Sequence, residues 1–121
     1  MTDATLQRGD VVLVDLEPGQ GSEADKARPA VVVGNDASLR AAHRHGRGVV
    51  TVVPITLNAT VRGRMHVALR PTRLNGLQRP SKAQAEQVRS IDISRVRADL
   101  GRLGPGDLDA VDAALRHHLA L

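Results

Sequence analysis

Four residues with the chemistry for phosphoryl transfer stand near strand-forming runs of this chain. Arg28 precedes Pro29 and a β-branched run, so its guanidinium is held beside a stiff strand. Thr56 closes a second such run, Glu23 lies before Arg28, and Glu86 is the first acid after a long stretch without one. Metal-free RNA cleavage needs a base for the ribose 2′-OH proton, an acid for the leaving 5′-oxygen and donors for the charged phosphorus centre. These residue types can fill those roles.

The candidate roles follow from side-chain chemistry. Arg28 is permanently charged and can stabilise a phosphorane-like centre, and Thr56 and Ser22 can donate hydrogen bonds from strand or loop ends. Glu23 and Glu86 are candidate bases. For each carboxylate, and for the whole loop before Pro29, the alternative is a solvated surface segment without a chemical role.

No metal or cofactor motif is present in the sequence. The five histidines include His43 and His45 in a basic stretch, which would repel a cation, and the adjacent His117 and His118, which face different ways on a helix. There is no cysteine, no HExxH, no Walker loop and no GxGxxG. We therefore expect no cofactor and favour a metal-independent mechanism.

The charge distribution indicates a polyanionic partner. The formal net charge is +4, yet the segment between Asp36 and Glu86 has eight arginines, one lysine and no acid. Arginine suits bidentate phosphate contacts, and a segment of one sign favours RNA, DNA or an acidic protein. A compositional bias towards arginine, or solubility, would explain the choice of arginine but not the absence of acids.

The overall composition predicts one domain with an aliphatic core. The 121 residues contain no Phe, Tyr or Trp, so any stacking on bases would use Arg or His. We expect a single domain over residues 1–121, with residues 1–7 as a flexible tail. The absence of cysteine, of a signal-peptide pattern and of a membrane-length apolar run predicts a cytoplasmic protein.

Periodicity and turn signals then indicate the elements that hold these residues. A short helix over 37–42, capped by Asp36, is followed by a basic loop over 43–48, and a last helix begins near Pro105. The apolar face of that last helix is predicted to comprise Leu108, Val111, Ala114, Leu115 and Leu119. Strands are predicted over 11–16, 30–34, 49–56, 65–70, 82–91 and 98–103. Short strands with peripheral helices favour a small, curled β-barrel.

Six fragments in order resemble the MazF/PemK family of toxins over about positions 8–119. They are Arg8-Gly9-Asp10-Val11, Gly21-Ser22-Glu23, Arg28-Pro29 with its aliphatic strand, Asn35-Asp36, Pro54-Ile55-Thr56, and residues 86–92. Each fragment alone is weak, but together they are fairly specific. The resemblance implies a mainly β, SH3-like small barrel of the CcdB/PemK type, with a short helix after strand 2 and a C-terminal helix.

The same resemblance implies a function and partners. It implies an mRNA interferase, a metal-independent endoribonuclease that cuts single-stranded mRNA at short sequences, leaving a 2′,3′-cyclic phosphate or 3′-phosphate and a 5′-OH. It further implies a homodimer with RNA grooves at its interface, and neutralisation by the acidic C-terminal segment of a MazE-like antitoxin. Two alternatives stay open: a nucleic-acid-binding barrel without catalysis, and a toxin on the same fold that poisons a topoisomerase.

The family pattern carries over to particular residues. Catalytic roles are expected for Arg28, Thr56, Glu23 and Glu86, and substrate binding for Ser22, Gln87, Arg62, Arg64, Arg44 and Arg47. Some PemK-like relatives have His at the position of Ser22 and Arg at that of Gln84, so an Arg/Thr scheme fits this chain better. The His- and Arg-rich segment 42–48 is longer than in compact members, and either extends the RNA groove or is a solvated insertion.

Overall fold

A computed structural model describes residues 5–16 and 27–121 of the chain. Ser22 and Glu23, and the predicted loop around them, lie outside these residues. The elements in chain order are β1 Asp10–Asp15, β2 Ala27–Val32, α1 Asp36–His45, β3 Val49–Thr56, β4 His66–Leu69, β5 Ser81–Gln84, β6 Arg89–Asp92, β7 Val96–Arg102 and α2 Pro105–Leu119.

The seven strands form one antiparallel, curled sheet in the order β4-β5-β3-β2-β1-β7, and β6 also pairs with β3. One edge of β3 is shared, because Val49–Val52 pair with β6 and Ile55–Thr56 pair with β5. The sheet is barrel-like without being closed. This arrangement, with its two helices, confirms the predicted mainly β fold of the SH3-like barrel type.

Two aliphatic clusters pack on the two faces of the sheet. On one face, Val111 of α2 covers Val11, Val31 and Val53. On the other, Leu39 of α1 packs with alternating residues of the same strands: Val12, Val14, Ala30, Val32, Val50 and Val52. Because strand side chains alternate between faces, the nearly continuous valine runs of β1, β2 and β3 fill both clusters.

The region of α1 differs from the prediction in two ways. Its N-cap is Asn35 rather than Asp36, because the Asn35 side chain accepts the Ser38 N–H at 2.8 Å. The helix also continues to His45 and ends at Gly46 in the left-handed conformation. The first half of the predicted basic loop, residues 43–45, is therefore the last turn of the helix, where cations complement the helix dipole.

Three other sequence-based predictions are corrected. Strand β2 begins at Ala27, so Arg28 lies inside the strand and not in the loop before it. The predicted strand over 82–91 is divided by a 3-10 turn, Ala85–Gln87, where β3 changes partner. Leu119 is 49% exposed and does not belong to the buried face of α2.

Two side-chain anchors tie the connecting segments to the barrel. The Arg8 guanidinium pairs with both oxygens of Asp112 in α2, and its Nε donates to the Val33 carbonyl at 3.2 Å. Asn75, 1% exposed, accepts the Thr72 and Leu77 N–H groups and so shapes the loop between β4 and β5. Neither described helix is long and apolar enough to cross a bilayer.

Candidate active site

The register of the central strands brings Arg28 and Thr56 to the same place. Strand β2 pairs with β3 through Ala30–Pro54, Val31–Val53 and Val32–Val52. The pairing of these two strands ends at Ala30–Pro54, and continuing the same antiparallel register by two residues along each strand aligns Arg28 with Thr56. Adjacent strands run about 5 Å apart, which brings the two Cα atoms into the range of a shared ligand.

Strand alternation places both side chains on one face of the sheet. Ala30 and Val32 belong to the cluster covered by α1, and Arg28 continues their alternation towards the strand start. Val50 and Val52 belong to the same cluster, and Thr56 continues theirs towards the strand end. The apolar cluster therefore gives way, at one end of the sheet, to a guanidinium beside a hydroxyl.

The two groups are presented differently. Arg28 is exposed, and its Nη1 donates to the Ala27 carbonyl at 3.3 Å. Thr56 is half-buried, and its Oγ1 accepts the Asn58 N–H at 3.4 Å. A cation that reaches outward and a hydroxyl fixed at a strand end can together contact one phosphate.

Sequence reasoning did not single out Lys82, which extends this row. Lys82 is the direct cross-strand partner of Thr56, so its side chain leaves the sheet on the same face. The residue is 3% exposed, and its Nζ donates to the Thr60 carbonyl at 2.5 Å. The one available signal was that Lys82 is the single lysine among the bases of the acid-free segment.

Glu86 is held by a histidine that sequence reasoning also missed as a partner. His66 Nδ1 accepts the Arg62 N–H at 3.0 Å, so the ring proton resides on Nε2, which donates to Glu86 Oε2 at 3.0 Å. Glu86 Oε1 is buried and has no hydrogen-bond partner within residues 5–16 and 27–121. Glu86 lies in the 3-10 turn four residues after Lys82, so it is displaced along the chain from the cross-strand partner of Thr56.

The predicted substrate-binding residues fall at both ends of the sheet. Arg62 and Arg64 are exposed in the segment that follows Thr56, and Gln87 is exposed in the 3-10 turn after β5. Arg44 and Arg47 precede β3, and the seven steps from Val49 to Thr56 separate them from the Arg28 end by roughly 23 Å. Within one chain, the structure does not bring Arg44 and Arg47 to the Arg28–Thr56 end.

The opposite face of the same sheet end has an apolar cavity. Its volume is about 290 Å³, and its wall includes Pro29 and Leu57, the neighbours of Arg28 and Thr56 in sequence. Gln78, Arg79 and Ser81 supply its polar rim. The end of the sheet therefore has a polar face and an apolar face.

The carboxyl group of Asp10, in a different part of the molecule, has a raised pKa. Burial raises the pKa of Asp10, with the Asp99 carboxylate adding to the rise, and the Gln7 N–H and Arg102 opposing it. Asp10 begins β1, whereas Arg28 pairs with Val14 near the other end of that strand. This titration therefore bears on stability and not on the candidate site.

Residues 7–119 match the family described as PemK-like, MazF-like toxin of type II toxin-antitoxin system. The chain is similar to endoribonuclease MazF9 of Mycobacterium tuberculosis, with 47% identity over 116 residues that cover 96% of this chain and 98% of the relative.

Two solved structures share the fold. One is an endoribonuclease in complex with its cognate antitoxin from a mycobacterial species, with 26% identity, a TM-score of 0.71 and 96% of each chain covered. The other is the Mycobacterium tuberculosis toxin MazF-mt6, with 26% identity, a TM-score of 0.69, and 93% of this chain and 97% of that one covered. Both alignments run over nearly the whole barrel.

Proposed function

Because the chain belongs to the PemK-like, MazF-like toxin family of type II toxin–antitoxin systems, we propose that it is an endoribonuclease toxin that cleaves single-stranded mRNA. Its close relative is named an endoribonuclease and is aligned over nearly its full length. The assignment to a site is supported by the β2–β3 register, which pairs Ala30 with Pro54 and, when it is continued by two residues, aligns Arg28 with Thr56.

The proposed reaction is attack of a ribose 2′-oxygen on the adjacent phosphorus. A bond forms between O2′ and phosphorus, the bond from phosphorus to O5′ breaks, a base takes the 2′-OH proton, and an acid protonates the leaving O5′. The products are a 2′,3′-cyclic phosphate and a 5′-OH. No step requires an oxidant, a reductant or a metal.

Arg28 and Thr56 stabilise the charge that develops on the phosphoryl oxygens. The guanidinium offers two parallel N–H donors, and the hydroxyl offers one more from the neighbouring strand. Glu23 and Glu86 remain the proposed bases. The His66 ring donates a hydrogen bond to Glu86 Oε2, and this contact fixes the position of the Glu86 carboxylate.

Substitution of Arg28 tests the proposed ribonuclease function directly. Purified protein is incubated with a long single-stranded RNA in EDTA, and the 5′ ends are mapped. We expect discrete cuts, and Arg28→Ala should lower the rate by about 10²–10³-fold, the usual effect of removing one transition-state donor. Arg116→Ala is the matched control, because it removes an exposed arginine from the surface of α2.

The outcomes separate the three functions. Intact RNA with a folded wild-type protein would overturn the ribonuclease proposal. RNA binding that survives Arg28→Ala, without any cutting, would support a binding barrel instead. Inhibition of a topoisomerase without RNA cleavage would support the third possibility, a toxin with a protein target.

The proposed partners are an antitoxin and a second copy of the chain. A similar structure is that of an endoribonuclease with its cognate antitoxin. We propose that an acidic, MazE-like C-terminal segment binds the positive surface of this chain, whose eight arginines between Asp36 and Glu86 are all exposed. We also propose a homodimer in the cytoplasm, with the RNA groove at its interface.

A further inference from the structure

Lys82 is buried in a way that solubility or diffuse attraction for RNA does not explain. It is 3% exposed, whereas the arginines of the acid-free segment are exposed. A buried ammonium loses its hydration and needs polar partners in return. The partner here is the backbone carbonyl of Thr60, at 2.5 Å, in the segment that leaves β3.

A chain of hydrogen bonds leads from Lys82 back to Thr56. Lys82 Nζ donates to the Thr60 carbonyl, and the Thr60 N–H donates to Asn58 Oδ1 at 3.2 Å. The Asn58 N–H then donates to Thr56 Oγ1 at 3.4 Å. Since Thr56 and Lys82 are cross-strand partners, the path closes into a ring, which we call the Thr56–Lys82 ring.

This ring determines what the Thr56 hydroxyl can do. A threonine hydroxyl has one hydrogen to donate and lone pairs that accept. When the Asn58 N–H occupies a lone pair, the hydroxyl hydrogen points away from that N–H and remains available to a ligand. A donor fixed in advance stabilises developing negative charge better than one that must reorient.

We propose that Lys82 and Asn58 are positioning residues, which hold the segment after β3 so that the Thr56 hydroxyl donates to the scissile phosphate. This inference rests on the proposed ribonuclease function. Lys82 acts through Thr60 and Asn58 and does not touch the substrate. A purely structural lysine would instead support folding without any specific dependence on the hydroxyl of Thr56.

A double-mutant cycle tests the dependence. The four proteins are wild type, Thr56→Val, Lys82→Met and the double variant, each checked for folding by its melting temperature, with kcat and KM measured on one defined RNA. In the wild-type background, Lys82→Met should lower kcat about tenfold, the size of one lost hydrogen bond, and change KM less. In the Thr56→Val background its further effect should be less than about twofold.

The cycle distinguishes the two proposals. An equal kcat loss in both backgrounds, or no loss in the wild-type background, would overturn the positioning role while leaving the ribonuclease intact. A wild-type protein that does not cut RNA would instead overturn the proposed function itself.

Asn58 supplies a second test that leaves the buried position unchanged. Asn58 is exposed, so Asn58→Ala removes the acceptor for the Thr60 N–H with little effect on packing. We expect kcat to fall by about 3–10-fold in Asn58→Ala, and to be largely restored in Asn58→Asp, which keeps the acceptor oxygen. Wild-type kcat in Asn58→Ala, with a clearly reduced kcat in Thr56→Val, would contradict the proposal.

Discussion

The side chain of Asp10, the first residue of β1, makes the stability of the fold depend on pH. The pKa of Asp10 is raised by burial, so the folded state favours its protonated form. The unfolded chain ionises first as pH rises, and the stability associated with the neutral carboxyl is lost between the unfolded pKa of about 3.9 and the higher folded value. The molecule is therefore less stable at neutral pH than an uncharged residue at this position would make it.

Asp10→Asn should accordingly raise the midpoint of urea unfolding at pH 7, and this gain should disappear below about pH 3.9, where Asp10 is neutral in both states. The amide oxygen can still accept the Gln7 N–H. Asp92→Asn is the contrasting variant, because the Ser94 N–H and O–H lower the pKa of the exposed Asp92. Its effect at pH 7 should be a loss of stability, and the same sign for both variants would contradict this account.

At the scale of elements, the loop between β4 and β5 depends on close backbone contact with β7. Gly76 has φ of 68°, and a Cβ at this position would overlap the carbonyl group of Leu100. Asn75 fixes the same turn from inside, since its side-chain amide donates to the Arg70 carbonyl at 2.8 Å. The loop and the strand therefore pack as one unit.

Gly76→Ala should destabilise the protein by about 2–4 kcal/mol, because a backbone carbonyl cannot move aside as a flexible side chain can. Gly106→Ala is the matched control, since among residues 5–16 and 27–121 no atom outside the local turn of α2 lies within 4 Å of the position of its Cβ. That control should be neutral or stabilising by up to about 1 kcal/mol. Urea denaturation measures both, and equal stability of Gly76→Ala and wild type would refute the contact.

The elements also show what local sequence can predict. The β-branched run of β3 gave the correct bounds, 49–56, because burial on both faces leaves little choice of conformation. The start of β2 was misplaced, because Pro29 suggested a loop end, whereas pairing of Arg28 with Val14 extends the strand through it. The division of the strand over 82–91 depends on β3 having two partners, a long-range fact without a local signal.

The residues of the candidate site also comprise some that the sequence predicts and some that it does not. Arg28 and Thr56 are identifiable from residue type and from the strands beside them, and their proximity follows once the β2–β3 register is known. The burial of Lys82 and the His66–Glu86 contact could not be predicted, because each depends on which strands pair across the sheet. Glu23 and Ser22 stay predictions, since they lie outside the described residues.

On the scale of the whole molecule, positive charge lies beyond both ends of β3. Arg62 and Arg64 lie beyond one end of this strand, and Arg44 and Arg47 lie before the other. An extended single strand of RNA that follows the sheet would meet both groups. If the segment 42–48 extends the RNA groove, its arginines release counterions when RNA binds.

The double variant Arg44→Ala/Arg47→Ala should therefore weaken RNA binding. It should also make the slope of log K against log salt concentration less steep by about 1.4, because each neutralised phosphate contributes roughly 0.7 to that slope. Fluorescence anisotropy of a labelled RNA over a range of salt concentrations measures this slope. An acidic peptide that mimics an antitoxin tail should compete with the RNA for this surface. An unchanged slope would identify the segment as a solvated insertion.

The order of β1, β7 and α2 along the chain has a consequence for synthesis. Strand β7 pairs with β1, and α2 supplies Val111 to one cluster and Asp112 to Arg8, so the barrel needs both β7 and α2. While the ribosome still encloses β7 and α2, the emerged part of the chain lacks the strand at one edge of the sheet and the helix that covers one of its faces. The proposed endoribonuclease should thus become active only after β7 and α2 have left the ribosome, which gives the proposed antitoxin time to bind it.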